Sequence, residues 1–578
     1  MVSRPVEHLD VLIIGAGLSG IGIAVHLKDH HPHRAVALLE ARGALGGTWD
    51  LFRYPGVRSD SDMSSLGYGF RPWTEPRLIA EGSAILRYLA DTAREHGIDE
   101  RIRYGHRVVA ASWSSERARW TVDVELTRDA AGPSAEGAGS SVPPGERPRR
   151  IQLSCDVLVA ATGYYHYDRG YEPDFPGRAA FTGRVVHPQH WPDDLDHTGA
   201  RVVVIGSGAT AMTLVPALAE RAARVTMLQR SPTYVVSMPA VDPATTRLRR
   251  VLPDRWAAWL VRWRNIVRQQ LLFRLSRWRP ELVRRTLLAR VARSLPPGYD
   301  VARHFTPRYD PWDQRLCLVP DGDLFAAIRG GRVDVVTDEI DTFVEGGIRL
   351  RSGAELAADL VVTATGLRLK MFDGIPLTVD GALVPVPDRR MYKGLMLEGV
   401  PNFVFAFGYT NASWTLKVDL VGEHLARLLR HLDRHRLQAF VPEPADPPAG
   451  AGEAGEASFF DFSSGYVLRG AAELPRQGER GPWRTRMNYL ADVRALRFGR
   501  VGGPELRFEP VPAQRRSGDV AEQALLGDGG HQPAVAGVDG AVVEATAAGG
   551  GQRRDVHEDP VVQPGRAVEP DGMVEARA

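Results

Sequence analysis

Continuous apolar runs, each followed by a glycine-rich turn and a helical pattern, occur twice along the chain. Such runs are typical of parallel strands that are buried on both faces. The first unit has a strand over residues 10–14, a turn over 15–20, a helix over 21–28 and a strand over 35–40. The second has a strand over 201–205, a turn over 206–211, a helix and a strand over 224–228. This order predicts an α/β protein with two Rossmann-like dinucleotide-binding domains.

Two further buried strands resemble each other, at residues 156–163 and 359–366, and each ends at a small-residue turn. Each should return the chain to a sheet beside a nucleotide. A helix is expected over 83–96, and strands over 107–113 and 120–126. The predicted parts are a first domain from residues 1–163 and 366–510, a second domain over 164–365 with a helical insertion at about 246–295, a surface excursion at 129–150, and a disordered tail over 511–578.

The first glycine turn has the residues of a dinucleotide site. Gly15, Gly17 and Gly20 permit the tight turn and admit a pyrophosphate to the helix N-terminus, with Ser19 in the same turn. Glu40 follows about twenty residues later, where an acid accepts a hydrogen bond from a ribose hydroxyl. A plain glycine turn is the alternative, but the flanking strands and the spaced acid favour nucleotide binding.

The loop over residues 46–60 is unusual for a connection. Two glycines allow close approach of a ligand, Trp49 follows them, and a Tyr-Pro-Gly turn precedes Arg58 and Asp60. The loop is either the wall of a flavin site with Asp60 near the reactive edge, or a structural crossover with Trp49 in the core. The candidate flavin contacts are Gly47, Thr48, Trp49, Asp50, Leu51 and Asp60.

The second turn differs from the first at the end of its second strand. The turn contains Gly206, Ser207, Gly208, Ala209, Thr210 and Ala211, which are candidate nucleotide contacts. The strand after it leads into Gln229, Arg230 and Ser231, with no acid. An acid there would repel a 2′-phosphate and an arginine attracts one, so NADPH is expected rather than NADH. Arg230 as an ordinary surface cation is the alternative.

Residues 246–295 are rich in arginine, with Asp254 and Glu281 as the only acids. Trp256, Trp259, Trp263 and Val267 fall on one face of a predicted helix. One interpretation is a basic amphipathic helix on an anionic membrane surface. The favoured interpretation is a helical cap packed over the active site, with arginine stems covering apolar surface.

Overall composition excludes some classes of function. The 578 residues carry a formal net charge of +2, which gives no electrostatic basis for nucleic-acid binding. Cys155 and Cys317 form no CxxC pair, which disfavours a dithiol redox centre or a cysteine-rich zinc site. The apolar strand that begins by Val11 leaves no room for a signal peptide, and no apolar run reaches membrane-spanning length. A cytoplasmic protein is expected, with peripheral membrane contact as the alternative; the oligomeric state stays open.

Residues 181–192, FTGRVVHPQHWP, resemble the FxGxxxHxxxWP fingerprint of type I Baeyer–Villiger monooxygenases. The loop over 46–60 matches a second signature of that family, Gly-x-Trp, then aromatic-Pro-Gly, then an aspartate four places later. The segments at 18–20, 311–317 and 408–417 are most similar to the ethionamide-activating mycobacterial branch. The resemblance covers roughly residues 7–510, without the excursion or the tail.

The resemblance implies an FAD enzyme that consumes NADPH and O2. NADPH would reduce the flavin, and a C4a-peroxyflavin would insert one oxygen atom into a ketone to give an ester or lactone. Arg315 matches the catalytic arginine, which would stabilise the peroxide anion and the developing oxyanion. Asp60 would orient Arg315, Arg58 and Ser59 would lie along the nicotinamide, and Val108 would contact the cofactor. His187 is expected to couple the domains without acting as a base.

One position departs from the family pattern. Many members have a lysine just before the catalytic arginine, where it helps to hold the 2′-phosphate, but Gln314 occupies that position here. NADPH preference should therefore depend more on Arg230 and its neighbours. Alternative functions are oxygenation of a thioamide, sulfide or amine, a flavin disulfide reductase, which the missing CxxC disfavours, and a membrane-surface flavin-binding protein without turnover.

Overall fold

The computed structural model describes residues 6–127, 149–314, 316–444, 464–485 and 487–510. The strands are β1 (Glu7–Ile14), β2 (Val36–Leu39), β3 (Ile102–Arg103), β4 (His106–Ser114), β5 (Arg119–Leu126), β6 (Arg150–Ala160), β7 (Arg184–Val186), β8 (Arg201–Ile205), β9 (Arg224–Gln229), β10 (Val235–Met238), β11 (Cys317–Pro320), β12 (Val333–Thr337), β13 (Ile340–Val344), β14 (Gly347–Leu350), β15 (Glu355–Ala357), β16 (Leu360–Thr363), β17 (Leu377–Val379), β18 (Ala382–Leu383), β19 (Met391–Tyr392), β20 (Met396–Leu397), β21 (Phe403–Phe405), β22 (Leu437–Pro442) and β23 (Leu506–Pro510).

The α-helices are α1 (Leu18–His30), α2 (Thr48–Leu51), α3 (Met63–Leu66), α4 (Gly82–Glu95), α5 (Ala209–Leu218), α6 (Pro243–Val251), α7 (Asp254–Trp278), α8 (Pro280–Ser294), α9 (Val301–Phe305), α10 (Asp323–Arg329), α11 (Thr415–His435), α12 (Gly465–Gly470) and α13 (Tyr489–Asp492). No helix among the described residues is both long and apolar enough to cross a membrane.

The first sheet is organised around β1, which pairs in parallel with β2 on one side and β6 on the other. Within the described residues this sheet has nine strands, and β3, β4, β5, β17, β18 and β21 complete it. Val11 and Ile13 face a core that includes Val421 of α11, whereas Leu12 and Ile14 face a second core on the opposite side. Both faces of β1 are therefore buried, which explains its continuous apolar run.

The second sheet has the strand order β12-β9-β8-β16-β7, with every pairing parallel. Val202 and Val204 of β8 pack towards α5, and Val203 faces a separate core. The two strands predicted to resemble each other occupy matching places: β6 lies beside β1 and β16 lies beside β8. Since the carboxyl ends of parallel strands share one edge of a sheet, both glycine turns lie at ligand-binding edges.

Most predicted elements are present with small shifts at their ends. The strand predicted over residues 156–163 runs from Arg150 to Ala160, so the expected surface excursion ends before Arg150. The rest of that excursion, residues 129–148, and the predicted tail over 511–578 lie outside the described residues. The final described segment packs back on the body, since Val467, Trp483 and Leu496 are buried in the two cores of the first domain.

The helical insertion forms α6, α7 and α8, and the four residues predicted to share one face differ in burial. Trp263 is half-buried and packs against the first core, whereas the other three are exposed. Trp256, Trp259 and Val267 are 53%, 49% and 45% exposed. The buried face of α7 consists of Ala257, Ala258, Val261, Arg262, Asn265, Ile266, Gln270 and Ser276. Polar side chains set this orientation: Arg262 pairs with Asp419 at 3.2 Å and donates to the Ser65 carbonyl at 3.3 Å. Apolar periodicity could not anticipate an interface built on a buried guanidinium.

Candidate functional site

The first glycine turn is pressed against the end of β6. Gly15 has φ +104°, and a Cβ there would lie 2.7 Å from the Ala161 carbonyl oxygen, so only glycine fits without strain. A Cβ on Gly20 would lie 1.9 Å from the Gly15 carbonyl oxygen. This close contact brings the N-terminus of α1 to the turn, where backbone N–H groups can face a phosphate.

Glu40 lies directly behind this turn. One carboxylate oxygen accepts a hydrogen bond from the Ala16 N–H at 2.9 Å, and the other accepts from the Arg42 N–H at 3.1 Å. Burial raises the pKa of Glu40, and the two backbone N–H groups act in the opposite direction. These bonds hold the carboxylate against the first glycine turn, and its predicted contact with a ribose stays a prediction.

The second turn repeats the backbone arrangement with different chemistry. Gly206 has φ +135°, and a Cβ there would lie 2.3 Å from the Ala364 carbonyl oxygen. The Ser207 hydroxyl donates to the Ser231 carbonyl at 3.0 Å, which ties the turn to the segment after β9. Arg230 and Ser231 are exposed beside it, and the space around Gly208 is open.

A cavity of about 260 Å³ lies between the two turns. It is lined by residues from both domains, including these sequence-predicted ones: Gly17, Ser19, Gly47, Thr48, Trp49, Arg58, Asp60, Ala209 and Thr210. Trp49 is half-buried and also packs against the first core, so the two interpretations of the loop are not exclusive for this side chain. The loop over 46–60 therefore forms one wall of a site between two nucleotide turns.

Other predicted residues lie outside the cavity lining: Gly15, Gly20, Glu40, Asp50, Leu51, Ser59, Val108, Gly206, Ser207, Gly208, Ala211, Arg230 and Ser231. Asp50 is buried and pairs with Arg53 at 3.1 Å, so it fixes the loop. Ser59 is bound to Ala80 through its backbone N–H at 2.9 Å. Leu51 packs against the core of the second domain, and Val108 is a buried residue of β4.

Arg58 and Asp60 occupy the far end of the loop. Arg58 donates to the Asp323 carboxylate at 2.6 Å and to the Met212 carbonyl at 3.3 Å, so it joins this loop to α5 and α10 of the second domain. Asp60 lines the main cavity and a smaller one of about 110 Å³ next to it. Arg315 lies outside the described residues, so its predicted partnership with Asp60 stays a prediction.

Sequence reasoning missed a group of aromatic residues. Tyr164, Tyr165 and Tyr167 line the cavity directly after β6, together with Trp414 from the start of α11. Trp414 stacks on Tyr164 at 5.2 Å between ring centroids and donates from its indole N–H to the Ser19 hydroxyl at 2.8 Å. The dense run of aromatic residues after Gly163 is the sequence signal that could have identified this group. Trp414 is distant in the chain, and only the fold brings it next to that run.

His187 of the fingerprint has a structural environment. Its Nδ1 accepts from the Gln189 N–H at 3.1 Å, so Nε2 carries the hydrogen and donates to the Gly366 carbonyl at 3.2 Å. Burial lowers the pKa of His187, which favours the neutral ring. These contacts connect β7 to the turn after β16, its neighbour in the second sheet, and the predicted coupling of the two domains stays a prediction.

Two nucleotide turns of this kind, facing one aromatic cavity, define a two-dinucleotide flavin oxidoreductase. Residues 9–252 match the family model described as pyridine nucleotide-disulphide oxidoreductase. Both cysteines are buried, Cys155 in β6 and Cys317 in β11.

Two relatives extend this match to most of the chain. The FAD-containing monooxygenase EthA of Mycobacterium tuberculosis (strain ATCC 25618 / H37Rv) is 50% identical over 508 residues, which cover 88% of this chain and 99% of the relative. EthA of Mycolicibacterium smegmatis is 48% identical over 504 residues, covering 87% and 97%. The chain therefore belongs to the FAD-containing monooxygenase family, and it is a flavin monooxygenase.

Solved structures with the same fold are more distant in sequence. An oxidized steroid monooxygenase bound to NADP has a TM-score of 0.64 at 22% identity and covers 87% of this chain and 100% of its own. A cyclohexanone monooxygenase from Rhodococcus sp. Phi1 bound to NADP+ has a TM-score of 0.65 at 19% identity, covering 88% and 100%. These comparisons confirm the predicted family and α/β fold, and they agree with FAD and NADPH as the predicted cofactors.

Proposed function

We propose that the protein is a Baeyer–Villiger monooxygenase. It converts a ketone, O2, NADPH and a proton into an ester or lactone, water and NADP+. The observation that supports this best is the shared cavity, which is lined by Trp49 and Asp60 of the first domain and by Thr210 of the second. A flavin and a nicotinamide held by the two turns would meet there. FAD, once reduced, supplies the activation of O2.

The chain's own residues would position the reactants. The first turn and Glu40 hold one nucleotide, and Arg230 attracts the phosphate of the other. Arg58 would fix the position of the two domains relative to each other through its ion pair with Asp323, and the aromatic lining of the cavity would exclude water. Arg315, assigned by resemblance alone, would supply the fixed positive charge that stabilises an oxyanion.

The test is product analysis on purified protein with FAD, NADPH, O2 and either a 2-ketone or a matched sulfide. Ester from the ketone supports the proposal, and sulfoxide without ester would establish heteroatom oxygenation in its place. Arg315→Ala should keep NADPH oxidation but lower ester formation by roughly a hundredfold or more. The oxygen that is reduced in this variant should be released as hydrogen peroxide. A normal ester yield in this variant would remove Arg315 from the mechanism.

We further propose that the enzyme is cytoplasmic and contacts an anionic membrane through α7 and α8. Residues 246–295 contain fourteen arginines and two acids. The exposed apolar side chains in these helices are Trp256, Trp259, Leu260, Val267, Leu271, Leu272, Trp278 and Leu282. Interfacial tryptophans beside arginines are the pattern of a helix that lies on a lipid surface.

The position of the smaller cavity indicates what the proposed membrane contact would do for substrate entry. It shares Asp60 and Ala412 with the main cavity and is also lined by Arg268 and Leu272 of α7. Leu272 is itself 41% exposed. A lipophilic substrate could therefore pass from the membrane to the reactive site without crossing bulk water.

Sedimentation with vesicles of phosphatidylglycerol or of phosphatidylcholine tests the contact. Binding should be strong for the anionic vesicles, weak for the neutral ones, and reduced by salt. Trp259→Ser with Trp278→Ser should abolish it, whereas Phe498→Ser, which removes a 75% exposed aromatic elsewhere, should not. Equal binding by the double variant would contradict the proposed surface.

A further inference from the structure

Arg469 lies against the turn that follows β16, although it comes from a segment about a hundred residues later in the chain. It lies in α12, and its guanidinium carbon is 3.6 Å from the centroid of the Tyr171 ring. Its Nη2 lies 3.4 Å from where a Cβ on Gly366 would be. Gly366 follows β16, the strand beside β8, so the guanidinium lies at the edge of the second sheet where a nucleotide binds.

Two other arginines lie at the same edge of the second sheet, Arg368 shortly after Gly366 and Arg230 directly after β9. The positive charges of Arg230 and Arg368 both lower the pKa of Arg469, after the larger effect of burial. In the part of the chain that the structure describes, no carboxylate forms an ion pair with any of the three. The Nε of Arg368 is buried, and it has no hydrogen-bond partner among those residues. Like charges gathered without acids repel one another, so this cluster is suited to an anion.

The contact with the Tyr171 ring orients the guanidinium of Arg469 for binding a phosphate. A guanidinium that lies flat on an aromatic ring keeps its N–H groups at the edge, where they can form two parallel bonds to phosphate oxygens. Arg230 directly follows β9, the strand whose end faces the adenosine half of a dinucleotide in this fold. Since β8 lies between β9 and β16 in the sheet, Arg230 and Arg469 flank the turn that follows β8.

We propose that Arg469 and Arg230 together bind the 2′-phosphate of NADPH, with Arg368 adding positive charge to the site. This rests on the NADPH dependence proposed above. It also accounts for Gln314, which stands where many family members have a phosphate-binding lysine. The missing cation is supplied by the C-terminal segment, and Tyr171 is the residue that positions it.

The experiment compares NADP+ and NAD+ binding to the FAD-loaded protein, together with the Michaelis constants for NADPH and NADH. Arg469→Ala removes a charged hydrogen-bonding group, so NADP+ affinity should fall about ten- to a hundredfold while NAD+ affinity changes less than about twofold. Arg469→Lys should recover part of the loss, because a lysine keeps the charge without the fork. Arg230→Ala should likewise weaken the binding of NADP+ much more than the binding of NAD+.

Arg476→Ala is the matched control, because Arg476 lies in the same segment but pairs with Asp388 at 3.1 Å. It should leave both affinities unchanged. An equal loss of NADP+ and NAD+ affinity in Arg469→Ala would place the residue on the pyrophosphate and overturn the proposal, as would no loss at all. Because direct binding is measured, the result holds whether the enzyme oxidises ketones or sulfides.

Discussion

The two nucleotide units share a backbone but differ in the residue at the end of their second strand. Glu40 and Gln229 occupy equivalent places after β2 and at the end of β9, and both are buried. Glu40 faces its glycine turn and accepts from the Ala16 N–H. Gln229 faces away and donates to the His304 carbonyl at 2.8 Å and to the Thr337 hydroxyl at 2.9 Å.

The steric requirement of the glycine turn and the choice of cofactor therefore depend on different residues. Gly15 and Gly206 solve the same steric problem, since each is pressed against a carbonyl oxygen of the neighbouring strand. The choice between a ribose hydroxyl and a phosphate is made elsewhere. In the first unit Glu40 faces the turn, whereas in the second Gln229 bonds to His304 and Thr337, and the exposed Arg230 lies just after β9.

The largest expected effect comes from breaking one turn at a time. Gly15→Ala should lower FAD retention at least about tenfold, because a residue with a Cβ is strained at φ +104° and meets the Ala161 carbonyl. Gly206→Ala should keep FAD but weaken NADPH binding by a similar factor. Flavin absorbance and NADP+ titration report these two losses separately. Loss of flavin in both variants would show that the units are not independent.

An intermediate effect is expected when the second unit receives the acid of the first. Gln229→Glu removes the two amide donors inside a buried site, so the free energy of unfolding should fall by about 1–3 kcal/mol. NADH affinity should not improve, because this side chain points towards His304 and Thr337. Gln229→Met, which has a similar volume, separates the loss of hydrogen bonds from the added charge. Tighter NADH binding by Gln229→Glu would mean that the acid can turn to the nucleotide.

The smallest expected effect is a dependence of stability on pH. Burial raises the pKa of Glu40 in the folded state, so the folded protein holds this proton more tightly than the unfolded chain does. Stability should therefore fall as pH rises from the ordinary glutamate range through the raised pKa, by at most about 1.4 kcal/mol per pH unit. Glu40→Gln should flatten this slope in denaturant titrations of the flavin-free protein. An unchanged slope would assign the dependence to other groups.

Local patterns were enough to predict the parts of the fold that repeat. The apolar runs of β1 and β8 and the glycines after them specified two sheets, because buried parallel strands and tight turns leave few alternatives. The sequence predicted the helix but did not decide which face of α7 is buried, and in the structure Arg262 is buried against Asp419 while Trp256 is exposed. The spacing of apolar residues predicts an apolar face of a helix. It does not predict that a buried ion pair will turn a different face towards the core.

The sequence by itself determined two dinucleotide turns, the acid of the first, the arginine beside the second and the family fingerprint, since each depends on residues close together in the chain. Only the tertiary structure decided which distant residues complete the site. Trp414 donates a hydrogen bond to Ser19, Asp60 and Thr210 line one cavity, and Arg469 lies against Tyr171 and Gly366. Those contacts join segments that are distant in the chain, and they exist because packing of the two domains, rather than local spacing, brings the segments together.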